Sequence, residues 1–247
     1  GGWHDGVPRS LMTLKALTYA PTGGVVAAPT TSLPEEIGGV RNWDYRYCWI
    51  RDATLTLHSL LVGGYVDEAR AWRDWLARAE AGDPARLQIM YGLAGERRLT
   101  EFELDWLPGY EESRPVRIGN GAWNQFQLDM YGETLGCLYA ARKAGLPPIE
   151  GGWGPLWLLI KHLEKVWQQP DEGIWEVRGG GLRHFTHSKV LAWVAVDRAI
   201  RLNEEFGVGG DEWRSMLPHL HALRERIHED VCHRAWNEGV GAFTQSY

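Results

Sequence analysis

The sequence predicts an all-α fold, and two observations carry that prediction. Apolar residues recur at helical spacing through most of the chain, whereas the apolar/polar alternation typical of β-strands occurs only in short stretches near 22–28 and 97–105. Residues that start or stop helices also lie where the helical pattern begins or breaks off. We therefore predict helices over seven segments: 9–19, 52–62, 66–79, 123–143, 154–168, 187–206 and 211–231.

Several of these helices carry recognisable ends. Asp52 can cap the second predicted helix, and Gly63 follows its last apolar residues. Gly145 stops the fourth helix, and Gly207 separates the sixth from the seventh. These capping and helix-breaking residues predict the helix ends independently of the spacing of the apolar residues.

The last two predicted helices differ in how much of their surface is apolar. The segment 211–231 has a single apolar stripe, which is typical of an outer helix, whereas 190–200 is apolar on most sides, as expected of a helix packed both inside and outside. Alternating inner and outer helices suggest an α/α toroid. A simple helical bundle satisfies the same pattern.

Composition excludes several classes of function. A chain of 247 residues without a low-complexity linker reads as a single domain, 1–247, and a formal charge of −6 without a Lys/Arg block argues against nucleic acid as a partner. The three cysteines form no C-x-x-C pair, and residues 1–8 lack the pattern of a signal peptide. With no apolar run long enough for a bilayer, we expect a cytoplasmic protein that has no membrane partner.

Tryptophan is unusually frequent, with 14 residues in the chain. A single tryptophan is more often part of a core than a sugar platform. Trp43, Trp49 and Trp175, however, lie in polar stretches that read as loops. Rings in such places can stack on the apolar face of a pyranose.

The segment 38–52 concentrates arginine, aspartate and aromatic residues, including Arg51 and Asp52. Carboxylate and guanidinium groups bind vicinal hydroxyls, and aromatic rings cover sugar faces, so the segment predicts a sugar site. The competing interpretation is that Asp52 caps a helix and the arginines pair internally. The residues alone leave the two interpretations even.

A second candidate is Glu176, which follows Trp175 in a glycine-bounded loop. An adjacent indole can remove water from a carboxyl group and keep it protonated, as a general acid requires. An ordinary surface glutamate is the competing interpretation. In 113–133, Asp129 and Glu133 could act as paired carboxylates, although a structural role is favoured.

No cofactor or metal is expected. His184 and His187 are close in sequence but have no obvious third ligand, and the chain contains no phosphate-binding or dinucleotide-binding glycine motif. The run of glycines at 179–181 reads as a flexible loop.

Taken together, these segments resemble glycoside hydrolase family 15, the group of glucoamylases and bacterial trehalases. The resemblance is ordered and spans most of the chain. It is carried by four blocks: RSLMTLKALTY at 9–19, TGGVVAAPTTSLPEEIGGVRNWDYRYCWIRDA at 22–53, LPGYEESRPVRIGNGAWNQFQLDMYGE at 107–133 and IWEVRGGGLRHFTHSKVLAWVAVDRAIRL at 174–202.

The resemblance implies an (α/α)6 toroid whose loops at one end form a pocket for the non-reducing glucose. Glu176 would be the general acid that protonates the glycosidic oxygen. Arg51 and Asp52 would bind hydroxyls of that glucose, and the other residues at matching positions would line or wall the same pocket: Tyr45, Trp49, Trp175 and Arg117.

Members of the family invert the anomeric carbon, which needs a second carboxylate about 6.5–9.5 Å from the first to activate water. We expect that general base outside this chain, because Glu133, Glu150 and Glu172 do not lie in the matching context. The seven predicted helices would form an incomplete toroid. We therefore expect the chain alone to be inactive and to self-associate through an apolar seam.

The leading hypothesis is thus an inverting exo-acting α-glucosidase that hydrolyses trehalose, a small oligosaccharide or a glucan end. The alternative is a carbohydrate-binding or vestigial module that keeps the sugar contacts of Arg51 and Asp52 without catalysis.

Overall fold

The computed structural model describes residues 3–149 and 153–247. Helices dominate this part of the chain, and the β-structure consists of two-residue strands, so the predicted all-α class is confirmed. All seven predicted helices are present. Their bounds are α1 Trp3–Leu17, α2 Ala53–Val62, α3 Val66–Ala79, α4 Asp129–Lys143, α5 Gly154–Val166, α6 Thr186–Phe206 and α7 Gly210–Arg234. The strands pair as three antiparallel ribbons: β1 Cys48–Trp49 with β2 Met90–Tyr91, β3 Phe102–Glu103 with β4 Arg117–Ile118, and β5 Trp236–Asn237 with β6 Ala242–Phe243.

The chain divides into two compact units. The first comprises residues 1–79 and 89–124, and the second comprises 80–88 and 125–247. In the first unit, α2 packs against both α1 and α3. Two tryptophans of α3 form its aromatic core, because the rings of Trp72 and Trp75 stack with centroids 4.7 Å apart. Each indole donates a hydrogen bond to a backbone carbonyl, so both rings are buried without losing a polar partner.

In the second unit, α6 packs against both α4 and α7. Packing on two sides, as predicted for 190–200, is found in the contacts with α4 and α7, although Val190 is exposed and Val194 is only partly buried. The one-sided stripe predicted for α7 is also found, from Trp213 through Leu220 and Leu223 to Val231. Arg224 of α7 donates a hydrogen bond to the buried Asp197 of α6 at 3.0 Å.

Two helix starts differ from the sequence-based bounds. Helix α1 begins at Trp3 and runs through Pro8, a residue that usually marks a helix start. Helix α4 begins at Asp129 rather than at 123, because tertiary hydrogen bonds hold the preceding residues in turns. The backbone N–H of Leu128 donates to the Asp171 carboxylate at 3.0 Å, and the Phe126 carbonyl accepts from the N–H of Glu172.

Three further features concern possible partners. Among the residues that the structure describes, no helix is both long and apolar enough to cross a membrane. Cys48, Cys137 and Cys232, which all lie within the described ranges, form no disulfide. Over the same described ranges, 3–149 and 153–247, no cluster of three metal-ligating side chains occurs.

Candidate functional site

The residues predicted to form the sugar site are divided between the two units. Trp175 and Glu176 belong to the second unit. The first unit contains the other five: Tyr45, Trp49, Arg51, Asp52 and Arg117. The structure brings four of these five together in the short segment that enters α2.

Tyr45 and Trp49 form an aromatic pair at the start of this segment. Trp49 lies in β1 opposite Met90 and is buried, with 6% of its surface exposed. The Tyr45 ring lies 5.7 Å from the Trp49 ring, tilted by 45°, and keeps 36% exposure. The tyrosine ring is therefore accessible to solvent and is in contact with the buried tryptophan ring.

Arg51 and Asp52 link β1 to α2. Asp52 occupies the N-cap position of α2, but its side chain makes no capping hydrogen bond, so the alternative prediction of a helix-capping aspartate is wrong. Asp52 is exposed, yet enough protein surrounds its carboxyl group to raise its pKa, and the positive charge of Arg51 opposes that rise. An adjacent carboxylate and guanidinium that reach solvent together can bind neighbouring hydroxyls of a sugar.

Asp44 is the buried anchor of the same loop. Its carboxylate accepts two 2.8 Å hydrogen bonds from the Arg46 guanidinium and a third from the N–H of Gly119 at 3.1 Å. Asn120 donates to the Asp44 carbonyl at 3.3 Å. The internal-pairing interpretation is therefore correct for Arg46, and this pair fixes the loop 38–52 against the segment around Gly119.

Arg117 is held inside the first unit by several protein groups. Its guanidinium donates to the carbonyls of Val40 and Asn42 and to the carboxylate of Glu103 at 3.0 Å, and it lies 4.7 Å above the ring of Trp43. The side chain is only 11% exposed. These contacts make Arg117 a clamp between loops, and its predicted position in the pocket lining stays a prediction.

Glu176 lies in the loop between α5 and α6. Its φ of +50° is in the left-handed region, which costs an L-residue about 1–2 kcal/mol. Gly173 shapes the loop, because a Cβ atom there would lie 2.4 Å from the Phe185 ring. Trp175 is 70% exposed and Glu176 is half-buried. Strained backbone that persists at a carboxylate is a feature of functional sites.

Sequence reasoning missed the residue that anchors this loop. Asp171 is fully buried, exchanges both backbone hydrogen bonds with Arg183 at 2.9 Å, and accepts the N–H of Leu128 with its carboxylate. Burial raises the pKa of Asp171 to about 6, opposed by hydrogen bonds from Ser188 and Leu128. A short polar residue directly before a Glu-Gly pair was the only signal in the sequence.

The remaining candidates have structural surroundings. Asp129 is buried in the first turn of α4, with its carboxylate 3.8 Å from Nδ1 of His187. The His184 ring stacks on Tyr247 at 5.9 Å. The structural role favoured for Asp129 fits this position.

Comparisons with known proteins agree with the sequence-based resemblance. The family model described as "Glycosyl hydrolases family 15" matches residues 2–247. A trehalase of Mycolicibacterium smegmatis is 45% identical over 250 residues, which cover 99% of this chain and 36% of that protein. A trehalase of Thermoplasma acidophilum is 36% identical over 253 residues, covering 100% of this chain and 41% of its own length.

Solved structures of low sequence identity show the same fold. A wild-type glycosidase superposes with a TM-score of 0.68 at 16% identity, covering 98% of this chain and 59% of that one. The glucoamylase of Saccharomycopsis fibuligera gives 0.65 at 13% identity, covering 96% and 50%. The chain thus carries part of the six-hairpin glycosidase fold, and it spans about two-fifths or less of the curated relatives above. On the family match and these identities, the chain belongs to glycosyl hydrolases family 15.

Proposed function

We propose that the whole protein is an inverting exo-acting α-glucosidase that hydrolyses trehalose, and that residues 1–247 supply part of its (α/α)6 catalytic domain. Family membership supports the reaction class, and the trehalases at 36–45% identity support the substrate. Terminal α-glucosidic bonds of maltooligosaccharides are the second substrate class.

Glu176 is the general acid in this proposal, and the observation that carries it is a half-buried carboxyl group on left-handed backbone beside the exposed indole of Trp175, in a chain of the matched family. As the bond between the anomeric carbon and the glycosidic oxygen breaks, the Glu176 carboxyl group gives its proton to that oxygen. A water molecule attacks the opposite face of the anomeric carbon and loses a proton to a second carboxylate. We assign that base to residues outside 1–247.

Residues of the first unit bind the terminal glucose. Arg51 donates to its hydroxyls, Asp52 accepts from them, and the accessible face of Tyr45 packs on the pyranose. Trp49 supports Tyr45, and Arg117 holds the surrounding loops. On the second unit, the exposed indole of Trp175 is the further aromatic surface for the substrate.

The anomers released by the whole protein test the reaction. Inverting hydrolysis of trehalose, followed by proton NMR before mutarotation, is expected to give equal amounts of α- and β-glucose. A retaining enzyme would give α-glucose alone at first, which would contradict the proposal. Parallel assays with maltose and maltotriose decide the substrate class, and faster turnover of either would replace trehalose as the assigned substrate.

Replacing the acid tests the role of Glu176. Glu176→Gln is expected to lower kcat for trehalose by a factor of about 10²–10⁴. Glu225→Gln, an equally conservative change at an exposed position of α7, is the control and is expected to keep kcat within about threefold. Near wild-type turnover of Glu176→Gln would overturn the assignment. Sugar binding by the wild-type whole protein without turnover would instead support the vestigial-module alternative.

Self-association and a cytoplasmic location stay predictions. The sugar partner rests on the trehalase and glycosidase relatives. Light scattering of the 247-residue chain would contradict self-association if it showed a monodisperse monomer.

A further inference from the structure

A buried lysine lies beside the loop that carries Glu176. Lys189, in the first turn of α6, exposes only 1% of its surface although its side chain is charged. Burying an ammonium group is unfavourable unless it is paired and hydrogen-bonded. Its partners therefore indicate what the lysine does.

Two of those partners are backbone carbonyls at the end of α5. The Lys189 ammonium donates to the carbonyl of Trp167 at 2.6 Å and to the carbonyl of Gln169 at 2.5 Å. Trp167 is the C-cap of α5, where carbonyls lack helical partners and the helix dipole is negative. Lys189 thus caps α5 from a neighbouring helix and fixes the chain as it leaves α5.

The anchor of the Glu176 loop acts on Lys189 through its charge, without a direct ion pair. The carboxylate of Asp171 attracts the Lys189 ammonium, as does the carboxylate of Asp230, whereas Arg234 repels it. Asp171 follows Gln169 by two residues and is bonded to Leu128 and Arg183. The segment 167–171 is therefore held by a buried cation at its start and a buried anion at its end.

These contacts continue to Glu176 without a gap. The backbone N–H of Glu172 donates to the Phe126 carbonyl, and Gly173 packs on the Phe185 ring. The backbone N–H of Glu176 donates to the Gly173 carbonyl at 3.4 Å. A shift of Asp171 would therefore also move Glu176, the left-handed residue that lies five positions further along the chain. Burying a charged group carries a desolvation penalty, so these two charges are better explained by a role in positioning the segment than by a gain in stability.

We infer that Lys189 and Asp171 are positioning residues for the acid Glu176, acting together through the segment 167–176. The inference rests on the proposed role of Glu176. Lys189 and Asp171 touch neither substrate nor reacting atoms. Their effect is confined to the step in which the leaving oxygen is protonated.

The leaving group of the substrate isolates that step. Trehalose needs a proton on the departing oxygen, whereas α-glucosyl fluoride releases fluoride without one. The ratio of the two turnover rates, measured on one preparation of the whole protein, is independent of the folded fraction. Lys189→Met is expected to lower the trehalose-to-fluoride ratio by about 10- to 100-fold, the loss typical of a misplaced catalytic group.

Asp171→Asn is the second variant, because its amide oxygen still accepts the Leu128 N–H while the charge is lost. It is expected to lower the ratio in the same direction. Asp197→Asn is the matched control: Asp197 is also buried in α6, bonds Arg201 and Arg224 at 3.0 Å, and lies about 12 Å further along the helix. Its ratio is expected to equal that of the wild type.

The outcomes separate the inference from the proposed function. If Glu176→Gln lowers the ratio and both the lysine and the aspartate variants leave it unchanged, the positioning role is wrong and the acid stands. Equal losses on both substrates in those variants, complete loss included, also contradict the inference, because they show only a structural role. If Glu176→Gln itself leaves the ratio unchanged, the proposed function fails.

Discussion

The loop 38–52 and the loop 167–176 both carry predicted site residues, but different interactions hold them. In the first, the buried Asp44 is paired with Arg46, whose side chain is 43% exposed, so the cation keeps contact with water. In the second, the anion Asp171 and the cation Lys189 are both fully buried. In the first loop the cation reaches water while the anion is buried, and in the second neither charge reaches water.

This difference has an energetic meaning. A half-exposed ion pair with good hydrogen bonds costs little to form and little to lose. Two buried charges each carry a desolvation penalty, and removing one leaves the other less compensated. The loop with the proposed acid is therefore expected to be the more sensitive of the two to single substitutions.

The largest predicted effect on stability comes from removing each buried carboxylate in turn. Asp171→Ala is expected to lower the free energy of unfolding by about 3–5 kcal/mol, because it removes the buried acceptor of the Leu128 N–H and the nearby negative charge that attracts the Lys189 ammonium. Asp44→Ala is expected to cost less, about 1–3 kcal/mol, since Arg46 can turn to water. Urea denaturation of both variants measures the difference. Equal losses would contradict the contrast between the two loops.

A backbone substitution in the second loop has the next largest effect. Gly173→Ala is expected to cost about 2–4 kcal/mol, because a side chain strains its φ of +69° and meets the Phe185 ring. Gly179→Ala is the matched control, since Gly179 has a φ of +68° but open space around its Cβ position. We expect the control to lose only about 1 kcal/mol in the same denaturation experiment. A similar loss at both glycines would mean that Phe185 does not constrain the loop.

The smallest predicted effect is a pH dependence. Burial lowers the pKa of Lys189 from 10.5 to about 8, with Asp171 and Asp230 opposing the shift and Arg234 adding to it. Between pH 8 and 10.5 the unfolded chain therefore binds more protons at this lysine than the folded protein does. The free energy of unfolding should rise with pH across this window, by on the order of 1–2 kcal/mol relative to Lys189→Met. Parallel stability curves for the two proteins would contradict a buried, charged lysine.

Much of the fold follows from sequence because helical periodicity is a local property. The apolar stripe of α7 and the all-round apolar surface of α6 each predict a packing environment that the structure contains. The start of α4 could not be predicted, because the Asp171 carboxylate that binds the Leu128 N–H lies 43 residues away. Helix α4 therefore begins only after the residues whose backbone groups are hydrogen-bonded to distant parts of the chain.

The site divides in the same way. Asp52 and Glu176 could be named from their neighbours in sequence together with the family resemblance. The use of Arg117 as an internal clamp and of Lys189 as a cap for α5 depends on carbonyls from other parts of the chain. A lysine directly before the apolar run 190–196 is consistent with a buried charge, but the sequence does not say which carbonyls accept its hydrogen bonds.

The central claim is that Glu176 supplies the proton to the leaving group, and kcat of the Glu176→Gln whole protein on two substrates tests it most directly. We expect kcat to fall by a factor of about 10²–10⁴ on trehalose and by much less, within about tenfold, on α-glucosyl fluoride. Equal losses on the two substrates, or no loss on trehalose, would contradict it.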